Sequence, residues 1–172
     1  MKKYSIDLNS KDIEYLTGMF GDAQSYLDKQ SMELCRRLAD MGVVKAKELF
    51  AAAKYDGERG FHIDPKPIAN GYAVTANGES VLFIEFGAGV HYPADHPEPN
   101  GFSHGTYGKL KGKNDYWFYT GMPGNAGGEL AYGRTNTTIT HGNPVNKPMY
   151  DTVKYLEEEL ERMVKEVFDL YQ

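Results

Sequence analysis

Residues 72–89 read YAVTANGESVLFIEFGAG, and the fold of this stretch sets the architecture around it. Tyr72, Val74 and Ala76 alternate with Ala73 and Thr75, the period of a strand with one buried face. Asn77-Gly78 then stands between two β-prone runs. Both central residues of a type I′ turn need positive φ, so this dipeptide predicts a hairpin. VLFIEF, residues 81–86, is apolar except for Glu85, which predicts a central strand covered on both faces. With FHID (61–64) extended as well, the β zone spans about residues 58–88.

Upstream, residues 10–54 are expected to be helical. Ser10 is the candidate N-cap of a short segment carrying Ile13, Leu16 and Phe20, which Gly18 and Gly21 weaken. A longer helix is expected from Asp22, with Leu27, Leu34, Leu38 and Met41 recurring at three- to four-residue steps. Gly42 is a point where it could bend or divide before the turn-like YDGERG (55–60). Cys35 falls on this amphipathic stretch and reads as a small buried hydrophobe.

Downstream, residues 87–142 hold 12 of the 19 glycines, five tyrosines and the one tryptophan. Pro93, Pro97 and Pro99 keep the first part out of helix and sheet. The expectation is long loops over 89–142, with short strands at DYWFY (115–119) and RTNTTIT (134–140). The chain then closes on a helix over 148–171. Pro148 suits its first turn, and Met149, Val153, Leu156, Leu160, Met163, Val167 and Leu170 repeat with the 4-3 alternation of a heptad seam. A helix packed on its own domain satisfies that pattern.

The chain has 172 residues, 41% hydrophobic and 25% charged, which suits one soluble globular domain over 1–172 with its own core. A net charge of −5 argues against general attraction to nucleic acid. One cysteine excludes an internal disulfide and a cysteine-only zinc site. No apolar run nears the ~20 residues that span a bilayer. MKKYSIDLNSKD lacks the apolar core of a signal peptide, so folding in a reducing cytoplasm is expected.

One cluster invites a chemical reading. Glu85, His91, Asp95, His96 and His104 follow one another in VLFIEFGAGVHYPADH (81–96) and GFSHGTYG (101–108), the residue types of a metal-dependent hydrolase or nuclease. Their spacing fits no helical HxxxH pair, and HEXXH, HXH and CxxC are absent. There is no GxSxG elbow and no phosphate loop. Lys109, Lys111 and Lys113 could contact a nucleic-acid backbone, although three lysines on a loop of an acidic chain usually serve as solvated charge. Glu85 has a plainer role open to it, accepting backbone N–H groups of the glycine turn that follows.

Taken in order, VLFIEFGAG, HPEPNGFSHGTYG, DYWFY and ITHGNPVNKPMYDTVKYLEEEL resemble the gene-product-ten-like family of tailed-phage head–tail joining, neck or tail-component proteins. That family has a (V/I)E(F/Y)GTG turn, matched by Ile84 to Gly89 with Ala88 in place of threonine. It also has a G-x-P-x-x-P-(F/M)-(M/L) step into the last helix, which Gly142 to Tyr150 resembles with one more residue between the two prolines and Tyr150 in the last place. The stretch GMPGNAGGELAYGRTN (121–136) is longer than the family pattern. The likeness implies an α+β fold, a small antiparallel sheet packed against a long N-terminal helical region and a long C-terminal helix.

In function, the resemblance implies a virion-assembly protein without catalysis, cofactor or metal. It would be a ring subunit at the head–tail junction through which DNA passes, made in the host cytoplasm. Its partners would be other copies of itself and the neighbouring portal-side and tail-side proteins. Heterologous interfaces that close by rotation make such rings. Glu85, Phe86, Gly87, Gly89, Tyr92, Tyr107, Trp117 and Tyr119 are the candidate interface residues, at the base and along the arm that the proline- and glycine-rich loop would form.

Overall fold

A computed structural model of the protein describes residues 10–89, 96–97 and 115–168. Helix α1 (Ser10–Ala52) is followed by strands β1 (His62–Ile68) and β2 (Gly71–Asn77), then a short helix α2 (Val81–Glu85). Strands β3 (Ala88–Gly89), β4 (Trp117–Thr120), β5 (Glu129–Leu130), β6 (Thr137–Thr140) and β7 (Gly142–Asn143) lead to helix α3 (Pro148–Val167). The strands form three small antiparallel sheets, β1-β2, β3-β7 and β4-β6-β5. The class is therefore α+β, as the resemblance implied, with three small sheets among the described residues where one was expected.

Two helices were expected before residue 54, and one unbroken helix stands there. Gly18 and Gly21 have open space where a Cβ would point. They cost about 1 kcal/mol each against alanine without removing a backbone hydrogen bond, so the ladder runs through them. Gly42 does not divide the helix either. A Cβ there would lie 2.9 Å from Val74 Cγ2 and 3.0 Å from Leu156 Cδ1, so this glycine lets β2 and α3 approach the helix closely. At the far end, Arg59 donates to the carbonyls of Phe50, Ala51 and Ala53 at 3.1, 2.7 and 2.7 Å. These are orphan acceptors of a helix C-terminus, where a cation is favoured.

The hairpin is displaced from its expected place. The turn lies at Ala69 and Asn70, between Ile68 and its partner Gly71, so the Asn-Gly dipeptide beside it is Asn70-Gly71. Pro65 and Pro67 face Val74 and Tyr72 across the ladder. Two residues apart, both point their missing N–H groups to the edge of β1 away from β2. Gly78, with φ +142°, takes the chain past the backbone of Gly60, which a side chain at that position would strike.

VLFIEF is therefore not a central strand. A short apolar run has no period of its own that separates strand from buried helix, and packing decided it. As one helical turn, residues 81–85 bury Val81, Ile84 and Glu85, the i, i+3 and i+4 positions of one face.

Val81 and Ile84 join Val43, Ala46, Phe50, Ala53, Tyr55 and Ile63 in the core, with Phe61, Val74, Ala76, Phe83 and Met149 against it. The rings of Phe50 and Phe61 lie 5.1 Å apart at 41°. Cys35 is half-buried over the hairpin turn, its Sγ 3.3 Å from where a Cβ of Gly71 would stand.

Strand β4 overlaps the DYWFY stretch and β6 lies within RTNTTIT. Helix α3 has Pro148 in its first turn and runs antiparallel to α1: Gly42 meets Thr152 and Leu156, and Arg162 reaches Met41 Sδ at 3.9 Å. Its packed side is rotated from the expected heptad row. Pro148, Thr152, Met163 and Val167 are buried, whereas Val153 and Leu160 are 51% and 43% exposed. The small Thr152 and Gly42 bring the helices close on one flank of the row, leaving those two on the outer shoulder. Leu170 lies outside the described residues. No helix among the described residues is long and apolar enough to cross a membrane.

Candidate functional site

Glu85 ends α2 with its carboxylate turned inward, and the first turn of α3 meets it. Its Oε2 accepts from Met149 N at 2.7 Å, and its Oε1 from Tyr150 N at 3.1 Å. These are the first free amides of the helix, because Pro148 has none. The residue at the N-cap, Lys147, sits in the left-handed region at φ 47° and provides no side-chain cap. A carboxylate 64 positions earlier in the chain does that work. It also complements the positive end of the helix dipole. Sequence reasoning left open that Glu85 accepts from the glycine turn after it; the carboxylate serves the amides of α3.

His96 Nε2 lies 3.1 Å from Glu85 Oε1, with the two side chains only 3% and 7% exposed. The imidazole sits between Phe86, centroids 4.5 Å apart, and the edge of Tyr150, at 5.9 Å. Burial of a polar ring needs such partners, and His96 is held against Glu85, Phe86 and Tyr150.

The glycine turn is held by the segment that opens α3. Strand β3 pairs with β7, Ala88 opposite Asn143 and Gly89 opposite Gly142. Asn146 N donates to Ile84 O and Lys147 N to Glu85 O, both at 3.1 Å. Gly87 and Gly89 have φ of 75° and 70°. A Cβ on Gly89 would stand 2.5 Å from His141 O and 2.9 Å from the Trp117 ring. Both conformation and space therefore demand glycine there.

A second layer of side chains copies backbone pairing. Asn146 accepts from Lys54 N at 2.7 Å and donates to Lys54 O at 2.9 Å. Asn143 accepts from Asp56 N at 2.6 Å. The buried Asp56 carboxylate accepts from Ala126 N at 3.1 Å and Thr140 Oγ1 at 3.2 Å. Asn125 Oδ1 accepts from Tyr55 N at 2.8 Å. Sequence reasoning missed Asp56, Asn125, Asn143 and Asn146. GNPVN (142–146) is where a signal lay, since asparagine beside glycine and proline often bonds backbone.

Of the residues singled out beforehand, Glu85, Phe86, Gly87, Gly89 and Trp117 come together here. The first three are buried within their own chain. Tyr119 lies two positions along β4, and its hydroxyl donates to Met122 O at 3.0 Å. Tyr92, Tyr107, His91, Asp95, His104 and the three loop lysines lie outside the described residues. Among the described residues no group of three His, Cys, Asp or Glu side chains is placed to hold a metal ion. The arrangement that does exist has a clear capacity: a carboxylate whose oxygens each accept a helix amide, and an imidazole locked against it, clamp three chain segments into one rigid base.

Elsewhere the shifted groups are few. Arg36 and Arg37 hold the Glu33 carboxyl down at about 2 on the exposed flank of α1. Burial raises the Tyr55 phenol above its usual 10.0.

No family model matches this chain, and neither does any curated protein or solved structure.

Proposed function

We propose that this chain is a structural subunit of a tailed-phage virion, one member of a ring at the head–tail junction through which DNA passes. It acts by assembly, without catalysis, cofactor or metal, and its place is the virion. Its partners are further copies of itself and the portal-side and tail-side proteins that the ring joins.

What supports this reading most is that its two short sequence signatures, residues 84–89 and 142–150, meet in space. They are joined by the β3-β7 pair and by the Glu85 carboxylate on the α3 amides. In sequence, residues 90–114 lie between Gly89 and β4, whose Trp117 stands against Gly89. A rigid base under a long Gly-, Pro- and Tyr-rich segment is what a subunit needs in order to direct an arm at a neighbour.

The test is a phage in which residues 98–108 are replaced by a short glycine-serine linker, which leaves the buried His96 in place. Full heads and finished tails should accumulate unjoined, with the variant protein still folded. Normal infectious particles would refute the joining role. Elemental analysis of the purified protein tests the hydrolase alternative, for which stoichiometric zinc, manganese or iron that is lost on His91→Ala and His96→Ala would speak.

A further inference from the structure

Helix α1 is far longer than the body it packs on. Its buried residues, Ala39, Gly42, Val43, Ala46 and Phe50, all lie in its C-terminal part. The portion from Ser10 to Leu34 adds ~36 Å of helix at 1.5 Å per residue and contains none. Along that portion runs a row spaced by sevens: Ile13, Phe20, Leu27, Leu34 and Met41. Ile13, Phe20 and Leu27 are 52%, 70% and 53% exposed. Leu16 and Ala23 fill the intervening positions of the same face, while Glu14, Asp22, Asp28 and Lys29 project from the opposite side.

The row continues a contact that the fold already makes. Met41 lies under Arg162 of α3, and one turn on Lys45 sits 5.4 Å over the Tyr155 ring. Helix α3 ends at Val167, and beyond it the same row of α1 goes on with Ile13, Phe20 and Leu27 exposed. A strict seven-residue repeat calls for a second helix of like repeat. Helix α3 carries such a row on its outer shoulder, Val153 and Leu160, seven apart and exposed.

We propose that the Ile13–Phe20–Leu27 row of one copy docks on the Val153–Leu160 row of a second copy of this chain. The α1–α3 pairing used within the chain is then used again between chains. The two rows lie on separate surfaces, so every copy can give one and receive the other. The contact is heterologous and propagates, closing into a ring or opening into a filament according to the rotation. The surface is derived from the helices alone; only its closure into a ring rests on the function proposed above.

Phe20→Glu and Leu160→Glu, each on the full-length chain, test it. Both side chains are exposed, so far-UV circular dichroism should match wild type and show that folding is intact. Sedimentation velocity over a wide concentration range should find wild type above the monomer and each variant monomeric. Mixing the two variants should restore one junction and stop at a heterodimer, because Leu160→Glu keeps its α1 row and Phe20→Glu keeps its α3 row. A monomeric wild type overturns the proposal. So do variants that assemble like wild type, in which case copies associate elsewhere and the ring reading stands. Loss of assembly in Phe20→Glu alone also overturns it, in favour of α1 pairing with α1. The head–tail joining experiment judges the ring reading separately.

Discussion

Glu85→Ala should be among the more damaging single changes outside the apolar core. The substitution takes the acceptors from Met149 N and Tyr150 N, and leaves His96 Nε2 without the carboxylate. A buried donor left without a partner costs about 1–3 kcal/mol, and loss of a helix N-terminal acceptor by itself typically costs about 1 kcal/mol. Water can enter the space vacated and satisfy part of the set, which brings the expected loss to about 2–4 kcal/mol. That is a large share of the roughly 5–15 kcal/mol by which a domain is stable. With a urea m-value of about 2 kcal/mol per molar, the midpoint should fall by about 1–2 M.

Glu85→Gln keeps the shape and one acceptor oxygen but turns an NH2 toward the other amide. It should lose about 1–2 kcal/mol. Far-UV circular dichroism in urea gives both values, and hydrogen exchange supplies the local readout, with faster exchange at the Met149 and Tyr150 amides. If Glu85→Ala shifts stability by less than about 0.5 kcal/mol, the range of an ordinary surface change, the clamp described here does not hold α3.

His96→Ala leaves both helix amides on Glu85 and should cost less than Glu85→Ala, about 1–2 kcal/mol from lost ring packing and one hydrogen bond, read from the same urea curves. Gly89→Ala forces an L side chain into φ 70° and against His141 O, and should destabilise by about 1–3 kcal/mol. Gly18→Ala, in open helix, should stabilise by up to about 1 kcal/mol, and thermal melts of the pair check both signs. Asn143→Ala orphans the buried amide of Asp56 and should cost about 1–3 kcal/mol in urea unfolding. Tyr55 has a phenol raised above 10.0 by burial. Its neutral form is favoured in the fold, so its contribution is complete below pH 10 and is lost as pH rises through the folded value. Tyr55→Phe should therefore flatten the fall in melting temperature on the alkaline side of pH 10, and an unchanged slope would count against it.

Much was legible in the residues themselves. Helix α3 could be placed from Pro148 and a 4-3 apolar row, and β4 and β6 from dense aromatic and β-branched residues. These signals are local, and backbone preference and side-chain period carry them. The exclusions of a disulfide, of a cysteine-only zinc site and of a helix through a bilayer likewise need only composition and run length. Glu85 stood out as the lone charge in an apolar run, which marks a buried group with a partner.

Its partner could not be read, because Met149 and Tyr150 are 64 and 65 positions away and offer backbone amides that every residue has. The hairpin was misplaced for a related reason. Asn70-Gly71 and Asn77-Gly78 are equivalent as dipeptides, and only pairing of β1 with β2 selects the first. VLFIEF carries no period, so burial of Val81, Ile84 and Glu85 on one face made it a helical turn. What the sequence alone determined, then, were elements whose signal repeats along the chain. What the tertiary structure decided were the turn chosen, the short helix and the clamp at Glu85, because each depends on distant atoms that supply burial or a hydrogen bond.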